Sequence, residues 1–115
     1  MQRSRPSDLL RDILDFIDRI EIWSSESNGD VGGDEKTLYA VLHALQYIGE
    51  AVGRLPSEVT DLAPDVPWTK IRAMRNLIAH DYAGIDPAIV WRTIRDRLPE
   101  LKTAVGDILQ SISKE

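Results

Sequence analysis

Cysteine is absent from this 115-residue chain, which excludes thiol catalysis, zinc–thiolate sites and disulfide stapling, and fits a reducing compartment. Histidine occurs twice, at His43 and His80, so proton chemistry near neutral pH has few candidate carriers. No apolar run reaches the roughly 18 residues that a membrane-spanning helix needs. Behind Met1–Pro6 comes an acidic amphipathic stretch instead of the apolar centre of a signal peptide. The expectation is a cytoplasmic protein with no membrane association. Cations are also in deficit: 14 Lys and Arg face 19 Asp and Glu, for a net charge of -5. That balance argues against general nucleic-acid binding, in which phosphate contacts supply most of the affinity.

The deficit is uneven. Residues 1–67 hold six Lys/Arg against 13 Asp/Glu, whereas residues 68–97 hold six against three. The basic third can attract a short phosphodiester locally while the acidic remainder discourages long tracking contacts. Solvation of helix faces accounts for the same counts, and charge alone does not separate the two readings.

Apolar periodicity predicts helices throughout. Leu9, Leu10, Ile13, Phe16, Ile17 and Ile20 recur at helical spacing over residues 7–23, with Ser7 as the expected cap. Ser24 to Gly33 reads as a loop, and residues 1–6 as a flexible N-terminus. Asp34 then caps a second helix with Leu38, Val41, Leu42, Leu45, Ile48 and Val52 on its apolar face, ended by Gly53 and Pro56. The prolines at 56, 64 and 67 allow no more than one helical turn between them. A third helix starts near Trp68, carries Ile71, Met74, Leu77 and Ile78, and breaks at Ala83-Gly84. Asp86-Pro87 restarts the chain with a cap followed by proline at the first helical position. Ile89, Val90, Ile94 and Leu98 form the next face, Pro99 kinks or restarts the helix, and Leu101 to Ile112 complete it. The expected fold is one all-α domain over residues 1–115, an antiparallel helical bundle of four to five helices.

Chemistry concentrates in Arg75-Asn76-Leu77-Ile78-Ala79-His80-Asp81-Tyr82. A guanidinium matches a phosphate in shape and charge, and an imidazole moves protons near pH 7. Leu77 and Ile78 are expected to anchor the segment in the core. On a regular helix Asn76 and His80 share a face, while Arg75 and His80 diverge by about 140°. The last two would flank a substrate, and two copies across a symmetric dimer would offer both groups from either wall of a cleft. RNA cleavage without a metal needs a base at the ribose 2′-hydroxyl, a cation on the phosphorane and an acid at the leaving oxygen. His80, Arg75 and Asn76 suit those roles. Read from spacing alone, an Arg/His pair at a helix end is as readily structural.

The octapeptide resembles the Arg-x-x-x-x-His-x-Tyr motif of the HepT-like toxins of the HEPN superfamily. Ile48-Gly49-Glu50-Ala51, Val66-Pro67-Trp68, Met74-Arg75-Asn76, Ile89-Val90-Trp91 and Leu98-Pro99-Glu100-Leu101 follow that family's order of segments, so the resemblance covers about residues 7–112. It implies a HEPN-like helical bundle that dimerises with both Arg–His motifs facing one cleft. It further implies a metal-independent ribonuclease toxin of a type VII-like toxin–antitoxin system, with no cofactor. Arg75 and His80 take the catalytic roles, supported by Asn76. The implied partner is a minimal nucleotidyltransferase antitoxin that transfers AMP onto the motif tyrosine, here Tyr82. A bulky anion there would exclude an RNA phosphate by charge and by volume.

Other residues admit two readings. Tyr39, His43, Tyr47, Glu50 and Arg54 share the polar side of the second helix, where they line the cleft or a dimer seam, or simply meet solvent. Glu50 is a candidate to orient His80 or hold Arg75. Lys70 and Arg72 either contact RNA phosphates or solvate a face. Trp23, Trp68 and Trp91 read as packing or interface anchors more readily than as base-stacking platforms. Tyr82 read plainly is a half-buried ring whose hydroxyl finds a backbone partner. Adjacent His80 and Asp81 do not converge on one ion from a helix, so no metal site is expected. The competing functional class is a non-catalytic helical module that binds a nucleotidyltransferase or a nucleotide.

Overall fold

The computed structural model describes residues 5–27 and 34–113. Its helices are α1 (Pro6–Glu26), α2 (Glu35–Arg54), a single turn α3 (Ser57–Thr60), α4 (Trp68–His80), α5 (Pro87–Asp96) and α6 (Leu98–Ser113). No strand occurs among the described residues. The chain folds as an all-α bundle.

Pairings along the helices fix their directions. Phe16 meets Tyr47 across α1 and α2. Lys102 of α6 reaches Asp18 at 3.3 Å and Glu21 at 2.7 Å on α1. Gly49 lies against Ile71 and Arg75, Gly53 against Arg72, and Tyr39 against Tyr82. In the α2–α4 pair the later residues of one helix meet the earlier residues of the other, so the two run antiparallel. Helix α1 packs on α2 and α6, α2 also packs on α4, and α5 packs on α6.

Side-chain caps set the starts of α2 and α5. Asp34 accepts from the Lys36 N–H at 3.1 Å and the Thr37 hydroxyl at 2.6 Å. Those bonds hold its carboxyl below the ordinary aspartate value, with the Thr37 hydroxyl the larger cause. Asp86 accepts from the Ala88 N–H at 2.9 Å, ahead of Pro87 at the first helical position. Pro99 restarts the helix, since α5 ends at Asp96 and α6 begins at Leu98.

Four boundary readings are corrected. Ser7 does not cap α1: the helix starts one residue earlier, at Pro6, and its cap Arg5 makes no side-chain bond to the helix. Proline needs no such bond there, because its missing N–H is one the helix start leaves unpaired anyway. Trp23 is not the end of α1, which runs on to Glu26 with the Ser27 hydroxyl donating to the Trp23 carbonyl at 3.0 Å. Ser24–Glu26 are therefore helical, while the rest of the expected loop, residues 28–33, and residues 1–4 of the expected flexible N-terminus lie outside the described residues. Gly53 does not end α2, which continues through Arg54, and the glycine instead lies beneath the Arg72 side chain.

The core joins Leu10, Ile13, Ile17 and Ile20 of α1 to Val41, Leu42 and Ile48 of α2 and Val105 of α6, all almost fully excluded from solvent. Each such side chain contributes about 1.5–3 kcal/mol on burial. Two expected anchors fall outside it. Leu77 is 62% exposed while its neighbour Ile78 is 2% exposed, and Ile89 is 55% exposed beside the buried Val90. Consecutive helical residues point about 100° apart, and the buried stripes of α4 and α5 are narrow enough to take in only Ile78 and Val90 of these pairs. Trp68 is a packing residue, half-buried, with its indole N–H donating to the carbonyls of Thr60 at 3.1 Å and Ala63 at 2.9 Å. That pair of bonds ties the proline-rich segment after α3 to the start of α4.

Candidate active site

Helix α4 sits close against α2 because α2 offers no side chain at the crossing. A methyl group built on Gly49 would come within 3.0 Å of the Arg75 Cβ, 3.1 Å of the Ile71 carbonyl oxygen and 3.2 Å of the Arg75 nitrogen. One turn on, the Arg72 stem passes over Gly53, with Cγ and Nε 3.5 Å from where a Cβ would stand. The two glycines four residues apart form a shallow track along one face of α2. The backbone at Arg75 is thereby set in place by close packing, while its side chain is exposed.

Arg75, Asn76 and His80 are all exposed on α4. The helix is regular through His80, so Asn76 and His80 share its outward face, about 100° and about 140° around from Arg75 respectively. Leu77 stands exposed beside that face. Most cations elsewhere are paired: Arg11 with Asp8, Arg19 with Asp15, Arg54 with Glu50, Arg95 with Asp96, Arg97 with Glu100, and Lys102 with Asp18 and Glu21. Lys70, Arg72 and Arg75 have no carboxylate within ion-pair distance among the described residues. Helix α4 carries Asp or Glu nowhere along its length. Three cations on one exposed helix without counter-charges make a surface suited to an anionic ligand.

Glu50 is half-buried on α2, and its hydrogen bond goes to Arg54 at 3.0 Å, not to Arg75 or His80. The pair is one helical turn apart, an arrangement the sequence alone favours.

After His80 the chain turns through Asp81 into a short 3₁₀ segment, Tyr82–Gly84, with the Asp81 carboxylate folded over Gly84. The turn carries the half-buried Tyr82 ring back to the start of α2. There its hydroxyl donates to the Tyr39 carbonyl at 2.9 Å, and the rings stack at 5.3 Å and 20°. Burial, and secondarily the neighbouring Tyr39 phenol, push the Tyr82 hydroxyl above its ordinary value. The structure thus shows the backbone-bonded, half-buried tyrosine that the plain reading anticipates. The sequence gives no hint that Tyr39 is its partner, 43 residues away. The glycine spacing at 49 and 53 was the available signal for close helix approach.

Among the described residues no three His, Asp or Glu side chains gather as a metal-binding group, and no helix is long and apolar enough to cross a membrane.

Fold and site together define a class: an all-α, HEPN-like bundle displaying an unpaired cationic helix that ends in a histidine. The chain matches the family model described as ribonuclease HepT-like over residues 13–108. It is 38% identical to a "Probable ribonuclease HepT" of Thermococcus cleftensis over 103 residues, covering 89% of this chain and 93% of that protein. Two proteins carrying the description "Putative RNase" are also similar. One, of Caldanaerobacter subterraneus, is 36% identical over 96% of this chain and 97% of its own length. The other, of Methanocaldococcus jannaschii, is 30% identical over 92% of each. No solved structure gives a significant match. The chain belongs to the HepT-like ribonuclease family.

Proposed function

We propose that this protein is a metal-independent endoribonuclease acting as a homodimer, and the toxin of a type VII-like toxin–antitoxin system. The observation that carries the reading is the exposed, unpaired Arg75 on the same helix as the exposed His80, in a chain of the HepT-like ribonuclease family. In the proposed reaction His80 acts in proton transfer, as the base at the ribose 2′-hydroxyl or as the acid at the departing 5′-oxygen. The 2′-oxygen attacks phosphorus and the P–O5′ bond breaks. Products are a 2′,3′-cyclic phosphate and a 5′-hydroxyl, the proton passing overall from O2′ to O5′. Arg75 holds the charge that builds on the phosphorane oxygens, and Asn76 orients the phosphate or ribose. Lys70 and Arg72 attract the flanking phosphates.

The divergence of Arg75 from His80 supports a cleft shared between two protomers, each contributing part of the constellation. A minimal nucleotidyltransferase antitoxin is the proposed partner, adding AMP to Tyr82 next to the cleft. Because that hydroxyl is bonded to the Tyr39 carbonyl, the transfer requires the bond to open first.

The test is cleavage of RNA by purified protein in excess EDTA, with cyclic-phosphate ends on the product. His80→Ala and Arg75→Ala each abolish it, by a factor of about 100 or more. Undiminished cleavage by His80→Ala overturns the assignment. The net charge of -5 favours the second reading, a non-catalytic module, which predicts partner binding with no RNA turnover in the unmutated protein.

A further inference from the structure

Between α1 and α2, on the flank of α2 away from α4, lies an open cleft of about 500 Å³ whose lining includes Asp15, Phe16, Arg19, Trp23, His43 and Tyr47. Its side chains form an ordered stack. The Phe16 and Tyr47 rings lie parallel at 5.1 Å and 10°, and His43 meets Tyr47 edge-on at 4.8 Å and 80°. The Arg19 guanidinium covers Phe16 at 5.2 Å. Tyr47 is 44% exposed although it is a large aromatic residue, and the chain contains only seven Phe, Trp and Tyr in all, three of them here.

We infer that this cleft is a nucleobase-binding subsite for the RNA strand whose phosphates lie along α4. The inference rests on the ribonuclease reading above and adds where the substrate's bases go. Three observations favour a base as the occupant. The cleft presents the exposed rings of Tyr47 and His43, and an aromatic ring face stacks with any base. Its one cation, Arg19, is held by Asp15 at 3.0 Å, so the cleft offers no unpaired charge for a phosphate. Helix α2 packs directly on both α1 and α4, so the cleft stands about one helix diameter, 10–12 Å, from the unpaired Arg72 and Arg75. A single strand crossing α2 therefore keeps its phosphates on the cationic flank and drops a base into the aromatic one.

The test uses the full chain with His80→Ala, to prevent turnover, and measures anisotropy of labelled eight-nucleotide RNAs. One probe is all adenine, and the other has the same backbone with abasic residues. Adding Tyr47→Ala weakens the adenine probe roughly 5- to 50-fold and leaves the abasic probe unchanged. Tyr47→Phe keeps the stack and binds as the parent does. Arg72→Gln weakens both probes alike. Equal affinity of the Tyr47→Ala variant and its parent for the adenine probe overturns the inference and leaves the cleft to a protein partner, as does equal weakening of both probes. Failure of the parent to bind adenine RNA overturns it too. The ribonuclease reading fails separately, through the absence of RNA cleavage by the unmutated protein.

Discussion

The Tyr82 hydroxyl and the Tyr39 carbonyl, 2.9 Å apart across 43 residues of sequence, tie the end of the Arg–His helix to the beginning of α2. The stacked rings reinforce the tie, so the turn that follows His80 is fastened at a point outside α4 itself. Removing the hydroxyl separates its two proposed roles. Tyr82→Phe keeps the ring stack and loses one hydrogen bond, for a cost of about 0.5–1.5 kcal/mol in unfolding free energy, measured by denaturant unfolding. RNA cleavage by the variant stays close to that of the unmutated protein. Incubation with the nucleotidyltransferase and ATP adds the mass of AMP to the unmutated protein and not to Tyr82→Phe. Transfer to another residue in the variant refutes Tyr82 as the acceptor.

The burial of the Tyr82 hydroxyl predicts a pH dependence. The Tyr82 hydroxyl is raised above its ordinary value in the folded chain, by burial and then by Tyr39, so the folded state holds its proton more tightly than the unfolded state. The contribution to stability is therefore complete below the unfolded value of about 10, and is lost as pH rises through the higher folded value. The stability difference between the unmutated protein and Tyr82→Phe is expected to be constant from about pH 7 to 9 and to shrink above about pH 10. A difference that grows with alkalinity contradicts the burial of the hydroxyl.

Gly49 offers a test of the α2–α4 crossing. A methyl group there meets the Arg75 Cβ at 3.0 Å and the Ile71 carbonyl at 3.1 Å, and neither of these can swing away as a side-chain tip can. Gly49→Ala is expected to push α4 outward, at a cost of about 1–3 kcal/mol. Cleavage falls further than that loss of stability explains at temperatures where the variant remains folded. Gly53→Ala is the control. Its new methyl meets only the Arg72 side chain, at 3.5 Å, and the better helix propensity of alanine offsets the contact.

The helices were legible in the sequence because their signals are local. Asp34 and Asp86-Pro87 announce helix starts by hydrogen bonds within two or three residues, and the buried positions of α1 repeat with helical period. What was not legible depends on partners distant in the chain. The periodicity that admits Ile78 to the core does not reveal that Leu77 is excluded, because the width of the buried stripe is set by how α4 lies on α2. Gly53 reads as a helix terminator in isolation and becomes a packing surface only when Arg72 lies above it. Within the octapeptide, Arg75, Asn76 and His80 stand out as candidates by residue type alone, and their exposure on α4 is added by the fold. Their lack of counter-charges follows from the composition of α4, yet Glu50's preference for Arg54 required the folded geometry.

Arg75 and His80 diverge around α4 by about 140°, and the proposed shared cleft makes that divergence testable. If each site takes Arg75 from one protomer and His80 from the other, a mixed dimer of Arg75→Ala and His80→Ala contains one site with both groups intact and one with neither. Each variant alone is inactive. Equal mixing with free subunit exchange makes half of the dimers mixed, so activity returns to about a quarter of that of the unmutated protein. If both groups of a site come from one protomer, the mixture stays inactive at every ratio. Neither substitution touches the core, since both side chains are exposed, and each variant should unfold within about 0.5 kcal/mol of the unmutated protein. Recovery on mixing assigns the groups to opposite walls of one cleft. Its absence, with subunit exchange verified independently, places them on the same wall and requires Arg75 to reach around α4 towards His80.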